Sequence, residues 1–299
     1  MKKILFILCL LCAFTPQISQ AAKAKSKQVV LIALDGWGAY SLKKAKVPNI
    51  RSVMSRGCYS LHNRSVLPSV SAVNWASMFM GVGTESHGYT QWNSKRPEIP
   101  STAQNAHGIF PTIFSLIAEQ MPQAETGCLY EWDGIKYLID TLAVKHYAIA
   151  PDYDNHPTLL CEMAERYIKE SHPQFLAVCF DQVDEAGHRY GHDTPEYYAA
   201  LERVDGYVGR IIQALKDAGT YDNTVIILTA DHGGINKGHG GKTLQEMEIP
   251  FIIAGKGIKN SGEIKDCIMQ YDTPATIAYI LGLQRPQPWV GRPVMSVFK

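Results

Sequence analysis

The sequence predicts an α/β protein with a mostly parallel central sheet and helices on both faces. Three observations carry that prediction. Short, nearly unbroken apolar runs rich in β-branched residues recur along the chain, as strands buried on both faces require. Amphipathic stretches of helical period lie between them. No linker, internal repeat or low-complexity tract divides the 299 residues, so a single unit covering 23–299 is expected.

The elements follow in order. Lys2 and Lys3, the apolar run 4–14 and the small residues Ser19, Ala21 and Ala22 have the layout of a secretory signal peptide over 1–22. The run is too short for the roughly 20 residues a spanning helix needs, so an exported protein, periplasmic or extracellular, is expected. QVVLIALDG (28–36) reads as a buried central strand that ends at Asp35-Gly36. Segment 65–88 reads as a polar strand exit followed by an apolar helix from about Asn74 to Met80. The Pro-, Ser- and Asn-rich stretch 93–108 reads as a surface loop. Helices are expected over 111–120 and 157–170, and QFLAVCFD (174–181) is the next buried strand. Tyr198, Leu201, Val204, Val208, Ile211, Ile212 and Leu215 then form a helical stripe, opened by Thr194 as cap and Pro195 in the first turn. TVIILTAD (224–231) and PFIIAG (250–255) complete the strands.

Composition narrows the function. Lys and Arg total 29 against 28 Asp and Glu, with no basic block, so a nucleic-acid surface is not expected. Beyond the signal segment, Cys58, Cys128, Cys161, Cys179 and Cys267 are scattered and describe neither a disulfide framework nor a thiolate site.

In open α/β sheets, ligands gather beyond the carboxyl ends of the strands. Metal-type ligands accumulate at that edge here. Asp35 closes the first strand, and Asp184 and His188 follow the second in DQVDEAGH. Asp231 and His232 close the third in TADHGG, with His239 soon after in KGHGG. This oxygen and nitrogen set suits zinc or a similar divalent ion. Each member alone has an ordinary alternative as a turn former, and Gly187, Gly233 and Gly234 read equally well as turn punctuation. Their coincidence at one predicted edge is what argues for a site. Ser71, ahead of the 74–80 helix, is on local grounds a helix cap or an activated nucleophile.

The blocks LIALDGWG, LPSVSAVNWASMFMGVGTESHG, FDQVDEAGHRYG, TADHGG and GHGG occur in this order between residue 30 and about residue 241. As a set they resemble the alkaline phosphatase superfamily, and most closely its type I phosphodiesterases and nucleotide pyrophosphatases. The resemblance implies an alkaline phosphatase-like three-layer sandwich and two zinc ions. Asp184, His188 and His239 would hold one ion. Asp35, Asp231 and His232 would hold the other, which also binds the oxygen of Ser71. It makes Ser71 the nucleophile, where related phosphodiesterases usually carry threonine, and Asn93 a donor to a phosphoryl oxygen. The expected substrate is a small phosphodiester or nucleotide pyrophosphate, cleaved through a phosphoserine. A phosphomonoesterase is the alternative, with Lys95 or Arg96 meeting the extra charge, and a catalytically inactive binding protein is a third reading. A sulfatase is disfavoured by the lack of a Cys-x-Pro-x-Arg sequence. Trp37, Tyr40, Trp75, Tyr89 and Trp92 are candidates either for stacking on a base or for the core.

Overall fold

A computed structural model describes residues 28–299; the expected signal segment lies outside them. The strands are β1 (Gln28–Leu34), β2 (Cys58–Arg64), β3 (Thr126–Tyr130), β4 (His146–Ile149), β5 (Phe175–Phe180), β6 (Thr224–Ala230), β7 (Glu248–Gly255) and β8 (Gly262–Glu263). They form one sheet in the order β4-β3-β5-β1-β6-β7-β2-β8. Only β7 runs against its neighbours β6 and β2; the other pairings are parallel.

The helices are α1 (Pro48–Met54), α2 (Ser71–Met80), α3 (Thr84–His87), α4 (Ile113–Gln120), α5 (Leu159–Ser171), α6 (Gln182–Tyr190), α7 (Pro195–Asp217), α8 (Leu244–Met247) and α9 (Asp272–Leu281). The alternation of side chains along β1 divides the interior. Val29, Leu31 and Ala33 join one core with residues of α2, α4 and α9. Val30, Ile32 and Leu34 join a second core with residues of α1, α5 and α7. A strand buried on both faces must be apolar at every position, which explains the unbroken run at 28–34. This is the three-layer α/β arrangement that the sequence predicts.

Local chemistry sets the element ends. The Thr194 hydroxyl accepts the Tyr197 N–H at 3.3 Å and Pro195 opens α7, as expected. Thr112 and Ser115 form a reciprocal capping box at α4. The helix expected from Asn74 starts earlier, at Ser71. Asn74 is the reason. Its Oδ1 accepts the Val66 N–H, and its Nδ2 donates to the carbonyls of Val66, Pro68 and Val70. The incoming chain is thereby folded onto the first turn instead of preceding it. The stretch 93–108 contains turns and no regular element. Cys128 and Cys179 are buried in the sheet, and the five described cysteines are free.

Candidate metal centre

Register brings the site together. Leu34 of β1 is level with Phe180 of β5 on one side and Ala230 of β6 on the other. The next residues of these three adjacent strands are Asp35, Asp181 and Asp231. Helix α6 starts directly after Asp181 and carries Asp184 and His188 one turn apart on one face. Ser71 arrives from β2 as the first residue of α2.

The six expected ligands converge. Around Asp184, its Oδ2 lies 3.0 Å from His188 Nε2 and 3.7 Å from His239 Nε2, and these two nitrogens are 3.2 Å apart. Around His232, Nε2 lies 3.2 Å from Asp231 Oδ2, 3.4 Å from Asp35 Oδ1 and 3.2 Å from Ser71 Oγ. Tetrahedral bonds of about 2.0 Å place ligand atoms roughly 3.3 Å apart. The His232 and His239 rings stack at 3.8 Å between the two groups.

Each imidazole has its outer nitrogen fixed. Nδ1 of His188 pairs with the Lys237 carbonyl at 3.0 Å, that of His232 with the Gly233 carbonyl at 2.8 Å, and that of His239 with the Ser69 carbonyl at 3.1 Å. A carbonyl only accepts, so Nδ1 carries a proton and Nε2 is the nitrogen each ring turns inward. The carboxylates are oriented in the same way. Trp75 Nε1 donates to Asp35 Oδ2, and the Gly36 and His232 N–H groups donate to Asp231 Oδ1. The inward oxygens, Asp35 Oδ1 and Asp231 Oδ2, are buried and have no hydrogen-bond partner among the described residues. Unpaired buried carboxylate oxygens facing imidazole nitrogens are a donor set that a divalent cation would satisfy. The residues fit a divalent metal of the zinc type.

The electrostatics agree. Burial, reinforced by Asp231 and Asp184, holds Asp35 well above the usual carboxylate range. Burial and the neighbouring Asp184 do the same to Asp231. Burial pushes His232 down to about 3. At Asp184 burial acts upward, but the hydrogen bond to His188 and the charges of His232 and His239 hold it below the ordinary range. That bond raises His188 to about 9. A bound cation would reverse the upward shifts at Asp35 and Asp231, favouring ionised carboxylates, and would favour a neutral imidazole.

Ser71 is not a cap. The N-cap of α2 is Val70, which makes no side-chain cap bond, and the Ser71 hydroxyl faces His232 instead. Ser69, the other hydroxyl two residues earlier, faces away: it donates to the Gly241 carbonyl at 2.7 Å and accepts the Gly240 N–H at 3.2 Å. A cavity of about 520 Å³ opens over Ser71, walled by Trp92, Trp132, Asp181, Glu185, His188 and His239. Asn93 is exposed in the turn after Trp92 and does not line this cavity. Lys95 lies over the Tyr137 ring at 5.5 Å, and Arg96 is exposed. Trp37, Trp75 and Tyr89 are buried in the core, whereas Trp92 is 58% exposed at the cavity.

Sequence reasoning missed four residues here. Asp181 closes β5, where its Oδ2 accepts from the Tyr153 hydroxyl at 2.8 Å, and burial lifts it to about 7. Glu185 follows on α6, and His192 sits behind Asp184. Asp181 was legible as the last letter of its strand. Trp132, ahead of a 3-10 turn at Asp133–Tyr137, left no signal.

Fold and donor set define an α/β protein of alkaline phosphatase type with a paired carboxylate and imidazole centre. The type I phosphodiesterase / nucleotide pyrophosphatase family model matches residues 29–237, and the chain belongs to that family. Venom phosphodiesterase 2 of Crotalus adamanteus is 26% identical over 74% of this chain and 28% of its own length. Bis(5′-adenosyl)-triphosphatase ENPP4 of Homo sapiens is 23% identical over 77% of this chain and 52% of its own. The chain thus spans about a quarter to a half of these relatives. Among solved structures, murine ectonucleotide pyrophosphatase/phosphodiesterase 5, in an inactive form with AMP, superposes with a TM-score of 0.72 at 14% identity, covering 91% of this chain and all of that one. A putative sulfatase from Bacteroides thetaiotaomicron gives 0.73 at 16% identity, over 91% and 75% respectively.

Proposed function

We propose that this chain is an exported two-zinc hydrolase of phosphodiester or nucleotide pyrophosphate bonds, acting through a phosphoserine on Ser71, with 23–299 as one catalytic unit. The observation that carries the reading is the inward convergence of three imidazole Nε2 atoms and two unpaired carboxylate oxygens beside the Ser71 hydroxyl. Asp184, His188 and His239 would hold one ion; Asp35, Asp231 and His232, with Ser71 Oγ, would hold the other. When bound, the ions supply Lewis-acid charge that activates the hydroxyl and neutralises an in-line phosphoryl transfer. Ser71 Oγ then forms the bond to phosphorus as the ester bond to the departing group breaks, and water releases the product by cleaving the phosphoserine. Asn93 is proposed to reach a phosphoryl oxygen once substrate is bound. The Ala72 N–H, bonded to the Trp92 carbonyl at 3.1 Å, holds its turn beside the nucleophile. Trp92 and Trp132 offer apolar wall to an organic substituent. Export rests on the 1–22 pattern; among the described residues no helix is long and apolar enough to cross a membrane.

Charge favours the diester over the monoester. Asp181 and Glu185 line the cavity, and among the described residues no Lys or Arg does. A monoester dianion would bring a second negative charge against that wall, and Lys95 is engaged with Tyr137. The test is the ratio of kcat/KM for bis-p-nitrophenyl phosphate and p-nitrophenyl phosphate with zinc-loaded protein. At least tenfold in favour of the diester is expected. A preference for the monoester would assign the chain to the phosphomonoesterases instead.

A further inference from the structure

A fourth imidazole stands behind the centre. His192 follows α6 in the sequence RYGHD, its side chain is fully buried, and neither ring nitrogen has a hydrogen-bond partner among the described residues. Its backbone is fixed, with the His192 N–H bonded to the Asn236 carbonyl at 2.6 Å. The other three histidines each pin Nδ1 to a carbonyl; this one does not. Buried and unpaired polar atoms call for an explanation.

The ring has a purpose-built seat. A Cβ at Gly187 would lie 2.3 Å from His192 Cε1, and one at Gly234 would lie 2.2 Å from the same atom. Neither glycine has a positive φ, so neither is required by backbone conformation. Gly187 even sits inside α6, where glycine is a poor helix former. Both are small because the imidazole lies flat between them. The Tyr197 ring, 5.3 Å away between centroids, packs alongside.

The polar atom this seat presents to His192 is Asp184 Oδ1, 3.8 Å from Nε2. That oxygen is the outer one, because Oδ2 is turned toward His188 and His239. It too is buried and unpaired, wedged against Gly36, where a Cβ would come within 2.4 Å. An unpaired donor therefore confronts an unpaired acceptor about an ångström beyond bonding distance.

We propose that His192 is a positioning residue for Asp184: in the metal-loaded protein its Nε2–H donates to Oδ1 and locks the carboxylate with Oδ2 facing the ion. The inference rests on the two-metal reading above. Outer partners of this kind fix the direction and basicity of a ligating carboxylate, and their loss typically weakens metal affinity by about 10- to 100-fold. It also gives Gly187 and Gly234 a role in the centre that turn geometry does not.

Competition with a chromogenic chelator tests this on wild type, His192→Phe and His192→Gln. Phe fills the seat without a donor; Gln restores an N–H near Nε2. Expected are two zinc equivalents in wild type, one of them weakened about tenfold or more in Phe, and at least partial recovery in Gln. Two tight sites in Phe would overturn the positioning role while leaving the two-metal reading intact. Fewer than two ions in wild type would defeat that reading, and this inference with it. A readout that needs no variant is long-range 1H–15N NMR of the histidine rings. The Nε2–H tautomer of His192, with a downfield proton that disappears on chelation, is expected. An Nδ1–H tautomer in the zinc form would mark His192 as a direct ligand and overturn the proposal.

Discussion

At Ser71 a hydroxyl that local sequence would make a helix cap points instead at His232, 3.2 Å away. The two serines of the PSVSA stretch consequently have separable roles. Ser71→Ala should lower turnover by about 10² or more while the protein still binds both ions, since the attacking oxygen is lost and the six ligands remain. Ser71→Thr should retain activity. Ser69→Ala should act through the Gly240-Gly241 turn that it braces, weakening metal retention more than turnover at saturating zinc. Steady-state kinetics with metal analysis of each variant decides between them; full turnover in Ser71→Ala would reassign the nucleophile. The ligands were legible because they end strands or follow them within a few residues, where a parallel sheet collects them. The orientation of Ser71 was not, because it depends on how Asn74 folds the preceding chain. Asn93 was carried over by resemblance alone, and it is its neighbour Trp92 that lines the cavity.

Helix α6 combines two demands, holding Asp184 and His188 on one face and making room for His192 on another. Ala at an interior helical glycine ordinarily stabilises by about 1 kcal/mol. At Gly187 the added Cβ would meet the His192 ring, so Gly187→Ala should destabilise instead. The penalty should largely vanish in a His192→Ala background, a non-additivity that denaturant unfolding of the four proteins of the cycle measures. Additive effects would disconnect the glycine from the ring. The same helix explains what the sequence hid. Its polar ligands and internal glycine mask any apolar stripe in QVDEAGHRY. Likewise β2 (CYSLHNR) ends in three polar residues and buries Ser60 and Asn63, and β4, at the sheet edge, is mostly exposed. The strands read from the sequence, β1, β5, β6 and β7, are the longer runs that are apolar nearly throughout and buried on both faces; β3 is equally buried, but TGCLY is five residues long and opens on Thr and Gly.

Across the whole molecule, stability and function share buried titratable groups. His87, from α3, is buried beneath α2: its Nδ1 accepts the Tyr89 N–H at 3.0 Å and its Nε2 meets the Ser77 hydroxyl at 3.0 Å. Burial lowers it to about 4. The unfolded chain binds that proton first as pH falls. The contribution is therefore complete above about 6.5 and is lost as pH drops toward 4, by at most about 3 kcal/mol. His87→Gln should be less stable at pH 7 yet lose less on acidification to pH 4.5, as urea unfolding at both pH values would register. An unchanged pH slope would remove His87 from the acid response.

On the two-metal proposal, activity depends on the two ions that these six residues would hold together with Ser71. The most direct measurement titrates zinc into metal-free protein, verified by elemental analysis, while hydrolysis of bis-p-nitrophenyl phosphate is followed. Turnover should be negligible at the start and reach its plateau at two equivalents, with Ser71→Ala taking up the same two equivalents and staying inactive. Full turnover before any metal is added, or saturation with no zinc bound, would contradict the account.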